Sequence, residues 1–366
     1  MEPDTDDALV WAALDFTGGQ RTDECVGVDP FAMSELGDFA EWSCYDNIGW
    51  PTSEAGFRNG GNECYMIAVI QMLGTARPVR QAILELPLQR DPLKDELTRV
   101  LQQDFLPADS RLCASGAYCH LFSQDTSGAA PLVHGVQNDA DESLRYVLDA
   151  WARLEGAPVA QGRHGFAPLT VSTAHQLFAV LTEWRRGCTR CLTVLSKFEE
   201  SLTIPILPPP GGQNQETQVK WQLENLGSPE EVAELRCNTC GSVGSCVRRQ
   251  YLARVGPLLL VQLSIYDVSS RQKLRNVRIH ANERLELRAD GRDYEYNLVA
   301  AIEHVGASLH SGHYICYRRD LVTNTWLVLN DDGATPIGLP HGTRLSATQF
   351  LARQMYICLY ARSAIG

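Results

Sequence analysis

The sequence predicts an α+β protein, and three observations carry that reading. Between Cys64 and about residue 185 the apolar residues recur mainly at helical spacing, whereas from Leu192 onward short strand-like runs dominate. Helices first and strands later along one chain point to segregated layers. Two Cys-x-x-Cys pairs, Cys188/Cys191 and Cys237/Cys240, fall where the second pattern takes over, at a spacing that suits a metal ion.

The chain opens on an acidic segment. Residues 1–55 hold thirteen acidic side chains against Arg21 alone, a net −12 that accounts for the whole charge of the protein, because the rest of the chain holds 31 of each sign. This N-terminal extension is either solvated and partly disordered or docked in part through aromatics such as Trp11 and Trp42, and its partner is unknown. A chain with no basic excess is not expected to bind nucleic acid by default. No apolar run approaches the roughly 20 residues that span a bilayer, so no membrane role is expected. Twelve cysteines behind an acidic start, with no secretory or transit signal, point to a reducing compartment, cytosolic or nuclear. At 366 residues the chain can bury a large core and hold two or three subdomains.

The next segment, Gly56-Phe57-Arg58-Asn59-Gly60-Gly61-Asn62-Glu63-Cys64-Tyr65-Met66, places a cysteine where a glycine-rich turn enters an apolar run that continues to Leu73. A thiol at the first turn of a helix faces unpaired backbone N–H groups and the positive end of the helix dipole, which favour thiolate. The Asn59 amide, five residues upstream, is close enough in sequence to serve the same spot. Together these residues suit covalent acyl transfer; a buried core cysteine is the competing reading. Glu63, directly before Cys64, carries a charge that would oppose the thiolate unless it points outward.

Further along, Asp139-Ala140-Asp141-Glu142 precedes Leu144, Val147, Leu148 and Trp151 at helical spacing, with Asp139 as N-cap and Glu142 completing a capping box. Pro208 to Gln215 reads as an exposed loop. The predicted strands are Leu202 to Ile206, Leu258 to Ile265, Val277 to Ile279, Tyr314 to Tyr317, Trp326 to Leu329 and Met355 to Tyr360. Four thiolates from Cys188, Cys191, Cys237 and Cys240 would complete a tetrahedral zinc site tying distant hairpins together. Disulfides compete, and a reducing compartment disfavours them.

Gly312-His313-Tyr314 leads into a strand and offers a candidate base, with His304 and His310 as rivals. If that strand pairs as a hairpin with the one ending at Asn330-Asp331, either residue can accept from His313 Nδ1–H. That bond would leave Nε2 to face Cys64.

From Gly56 to Tyr360 these motifs, in this order, resemble the ubiquitin-specific protease family. The cysteine box is Gly56 to Met72; the central Gln-x-Asp-Ala-x-Glu element is Gln137 to Glu142. The two cysteine pairs follow, then a histidine box in three parts: Tyr296 to Gly306, Gly312-His313-Tyr314, and Trp326 to Asp331. The resemblance implies a papain-like cysteine peptidase with a helical thumb (about 56–185), zinc-bearing fingers (about 186–250) and a β-sheet palm (about 251–362). It implies Cys64 as nucleophile, His313 as base, Asn330 as third triad member, Asp331 as an accessory acid and Asn59 as oxyanion donor. It places Asp139 and Glu142 against the basic C-terminal tail of ubiquitin, and ubiquitin or a ubiquitinated protein as partner. The implied reaction is hydrolysis at the ubiquitin C-terminal glycine through a thioester; a weakly active or inactive ubiquitin-binding scaffold and a protease for a ubiquitin-like modifier are the alternatives.

Overall fold

The structure, a computed structural model, describes residues 56–57, 59–84, 135–155, 172–208, 215–267, 269–274, 276–309, 311–320, 322–331 and 337–363. The acidic extension and His310 lie outside them. The first helix, α1 (Cys64–Thr75), is buried along its whole length, as expected of a helix that is apolar all round. It starts where the Glu63 carbonyl accepts from the Met66 and Ile67 N–H groups. α2 (Arg77–Leu84) and α3 (Ala140–Leu154) pack beside it, followed by α4 (Thr173–Phe178). Asp139 caps α3 by accepting from the Asp141 N–H at 2.9 Å, and Leu144, Val147, Leu148 and Trp151 fill the inner face.

Fourteen strands follow among the described residues. β1 (Val180–Cys188), β2 (Val194–Ser201), β5 (Glu230–Val232) and β6 (Cys246–Val255) form an antiparallel sheet in the order β2-β1-β6-β5. The large sheet runs β13-β12-β11-β10-β14-β7-β3, with β9 (Arg284–Ala289) also paired to β10. Its members are β3 (Thr203–Ile206), β7 (Leu258–Leu263), β10 (Arg292–Ser308), β11 (Ser311–Asp320), β12 (Thr325–Leu329), β13 (Arg344–Leu345) and β14 (Ile357–Arg362). β4 (Gln215–Gln218) and β8 (Val277–His280) make a short parallel pair, with α5 (Val219–Glu224) after β4 and α6 (Ala347–Leu351) before β14.

The small sheet begins at Val180, inside the stretch read as helical, and Thr203–Ile206 leaves it to join the large sheet. β1 escapes a period-two reading because it lies between β2 and β6 and its first four residues are all buried. In the large sheet, the hairpin expected between the His313 and Asn330 segments is present, with Cys316 opposite Leu329 and Tyr317 opposite Val328. Trp326 of β12 stacks on Phe350 of α6 with ring centroids 3.6 Å apart, anchoring the strand from which Asn330 emerges. α1 lies against β10 and β11, so the cysteine end of the helix meets the histidine end of the hairpin. No helix among the described residues is long and apolar enough to cross a membrane.

Candidate active site

Cys64 is the first residue of α1 and only 3% exposed. The backbone N–H of Tyr314, the residue after His313, points at its sulfur, as do its own N–H and that of Tyr65. Burial outweighs these donors, and with the nearby Asp331 carboxylate it pushes the thiol up to about 11. The resting thiol is therefore protonated at neutral pH, against the expectation from its helix-start position alone. Glu63 is also buried, but its carboxylate turns back to accept the Gly60 N–H at 3.0 Å. The carboxylate that bears on the sulfur is that of Asp331.

His313 is buried on β11, opposite Val305 of β10. Asn330 reaches it from the end of β12. The Asn330 Nδ2 donates to the carbonyls of Ile337 at 3.0 Å and Leu339 at 2.8 Å, which leaves Oδ1 to face His313 Nε2 at 2.7 Å. An amide oxygen only accepts, so Nε2 carries the proton and Nδ1 keeps the lone pair. The ring is thus the reverse of the sequence expectation: Nε2 meets Asn330 and Nδ1 is left as the basic nitrogen. The side-chain rotamer decides this, and spacing along the chain does not specify it.

Asp331 adopts a left-handed backbone (φ 45°). Its Oδ2 lies 3.6 Å from His313 Nε2 and accepts the Asn59 Nδ2–H at 2.9 Å. Asn59 Oδ1 in turn accepts from the N–H groups of Gly61 and Glu63. The glycine-rich turn is thereby latched to the His313 end of the large sheet, and one hydrogen of the Asn59 amide is committed to Asp331. Sequence reasoning missed the supports beyond these residues. His341 Nδ1 accepts the Asn330 N–H at 3.0 Å, and the Ile337 and Leu339 carbonyls orient its amide. Backbone carbonyls of a loop leave no mark in a motif.

Asp139 and Glu142 lie at the start of α3. Both Asp139 oxygens accept the Tyr356 hydroxyl, at 2.8 and 2.9 Å, and burial raises the Asp139 pKa despite those bonds. Glu142 is exposed, and partial burial and the Asp139 charge raise it as well. Asp139 thus holds the helix start, and Glu142 presents a carboxylate to solvent.

Cys188, Cys191, Cys237 and Cys240 converge at the far end of the small sheet, their sulfurs all within 4.8 Å of one another. The Cys188–Cys240 separation is 3.7 Å and the Cys191–Cys237 separation 3.6 Å. A zinc ion about 2.3 Å from each thiolate sets tetrahedron edges of about 3.8 Å, so the donors fit. Burial opposes ionisation of Cys188, but the Cys191 and Arg190 N–H groups and the Ser242 hydroxyl lower its pKa, toward the thiolate a metal requires.

Comparison with known proteins is consistent with this geometry. The family model described as ubiquitin carboxyl-terminal hydrolase matches residues 55–360. The chain is 26% identical over 313 residues to ubiquitin carboxyl-terminal hydrolase 4 of Arabidopsis thaliana, covering 76% of this chain and 83% of that protein. It is 26% identical over 331 residues to ubiquitin carboxyl-terminal hydrolase 17 of Homo sapiens, covering 85% of this chain but 56% of the relative. The same identity and coverage hold for a human protein named as inactive, ubiquitin carboxyl-terminal hydrolase 17-like protein 8. Among solved structures, the SAGA Ubp8/Sgf11/Sus1/Sgf73 DUB module bound to ubiquitin aldehyde shares the fold. Its TM-score is 0.66 at 16% identity, over 85% of this chain and 70% of that one.

Proposed function

The chain belongs to the ubiquitin carboxyl-terminal hydrolase family, and from that membership we propose that it is a thiol-dependent hydrolase cleaving the bond to the C-terminal glycine of ubiquitin. The observation that carries the reading is the His313–Asn330 bond: it fixes the tautomer a base needs, on a residue whose successor's N–H touches the Cys64 sulfur. His313 Nδ1 takes the Cys64 proton. The thiolate forms a bond to the terminal glycine carbonyl carbon, and that oxygen becomes an oxyanion. The second hydrogen of the Asn59 amide and a backbone N–H stabilise it. Collapse expels the substrate amine, which takes the proton from His313, and water then cleaves the thioester. Burial of the thiol opposes a resting thiolate, so the reaction needs a base to take the proton. Glu142 and Asp139 supply negative charge toward the basic tail of ubiquitin. The four-cysteine cluster holds zinc, which is structural because four thiolates leave no open position.

Ubiquitin carrying a C-terminal thiol-reactive group is expected to form a covalent adduct with the protein at Cys64. Absence of an adduct from folded, metal-loaded protein would overturn the enzyme reading and favour the scaffold role suggested by the relative named as inactive. An adduct formed solely with a ubiquitin-like modifier would correct the substrate. Asn59→Ala removes one oxyanion donor and is expected to lower kcat by about 100- to 1,000-fold. Because the same amide latches Asp331, the melting temperature is measured alongside; turnover within threefold of wild type would remove Asn59 from the mechanism.

A further inference from the structure

Gln137 lies two residues before Asp139, in the loop that enters α3, and has no role in the mechanism above. Its Oε1 accepts the Gly312 N–H at 3.1 Å. That bond settles which end of the amide is which, because an NH2 group cannot accept. Gln137 Nε2 therefore faces His304 Nε2, at 3.4 Å, as a donor. His304 must then hold a lone pair on Nε2 and its proton on Nδ1, which it donates to the Tyr266 hydroxyl oxygen.

The histidine in this chain of bonds is fully buried, with its ring centroid 4.4 Å from that of Tyr314. It also shapes the turn that delivers His313. A Cβ added at Gly312, whose φ is +146°, would come within 2.6 Å of His304 Nε2. One added at Gly306 would come within 2.8 Å of His304 Cε1. The β10–β11 turn is thus moulded onto a neutral imidazole, and Gln137 is the side chain that ties Gly312 to it. Burial, aided by the charges of Lys273 and His313, lowers His304 to about 4, so it stays neutral when His313 takes up a proton.

We propose that Gln137 is a positioning residue for the reaction: through the Gly312 N–H it sets the His313 ring against Cys64, with His304 and Tyr266 as its fixed backing. The proposal rests on Cys64 and His313 being the reacting pair. It concerns a residue that touches neither.

Two measurements on the full chain test it. Alkylation of Cys64 by iodoacetamide across a pH series reads the thiol beside His313 without any substrate. Steady-state hydrolysis of a fluorogenic amide at the ubiquitin C-terminus reads kcat and KM. Gln137→Leu removes both ends of the amide and is expected to lower kcat roughly 10- to 100-fold, the scale of a small misplacement of a reacting group, with KM little changed. Its alkylation profile is expected to shift in pH while the melting temperature stays near that of wild type. Gln137→Glu keeps the acceptor for Gly312 and is satisfied by a proton on His304 Nε2, so it is expected to recover most of kcat. An unchanged kcat and alkylation profile in Gln137→Leu would overturn the proposal. So would a raised KM at constant kcat, which marks direct substrate contact, or a loss that merely follows a lowered melting temperature. A wild-type protein with no activity on the ubiquitin amide would defeat the functional reading, and the alkylation arm would still decide the positioning one.

Discussion

Cys64→Ala is expected to reduce hydrolysis of a ubiquitin-linked amide by about 10,000-fold or more while leaving the fold intact, since loss of the proposed nucleophile would remove the covalent route itself. The cysteines in the large sheet, Cys316 and Cys358, are fully buried and cannot substitute. The substitution removes one sulfur from the end of α1, where the helix start depends on the Glu63 carbonyl and not on the thiol. Circular dichroism and the melting temperature should therefore stay near wild type. His313→Ala should cost nearly as much, and the double variant little more than either, because nucleophile and base act as one unit. Turnover in Cys64→Ala above about one per cent of wild type would sink the assignment, given the size of nucleophile knockouts in comparable hydrolases.

Loss of the proposed zinc is the second large effect expected. The outer end of the small sheet has almost no apolar core: its buried cluster consists of Cys188, Cys237 and Cys246, with Cys191 and Leu235 against it. Structural zinc in small domains supplies about 10–16 kcal/mol, comparable with the whole net stability of a typical domain. Cys191→Ser is therefore expected to drop bound zinc from about one equivalent to well below a tenth, since a structural site needs all four ligands. Residues 188–193 and 235–246 should lose hydrogen-exchange protection. The β10–β11–β12 region should keep its protection, because its core is continuous without the metal. Unchanged zinc content, or full protection of the fingertip in the metal-free variant, would defeat the four-cysteine site.

The motifs were legible because they are local. Four cysteines in two close pairs, a cysteine after a glycine-rich turn, and a strand-borne histidine followed by a second strand ending in Asn-Asp are all patterns of spacing. The hairpin joining His313 to Asn330 could be anticipated from them, and β11 and β12 do pair in that way. What stayed hidden depends on rotamers and on contacts distant in sequence. Gln137 looked like part of a motif with no task of its own, and its bonds to Gly312 and His304 span 175 and 167 residues. Glu63 looked like the residue most able to oppose the thiolate, yet it is spent on the Gly60 N–H.

By itself, then, the sequence determined the α+β class, the family motifs and which side chains could do chemistry, because residue type and short-range spacing are written along the chain. The Gly56–Met66 segment could show that Cys64 starts a helix, where the dipole favours thiolate. Only the tertiary structure decided that burial and the Asp331 charge outweigh those dipoles and hold the thiol protonated. It also decided that His313 offers Nδ1 and not Nε2, since the orientation of Asn330 is set by carbonyls of a loop seven and nine residues further on. Desolvation and hydrogen-bond direction are properties of the packed surroundings, and no local pattern encodes them.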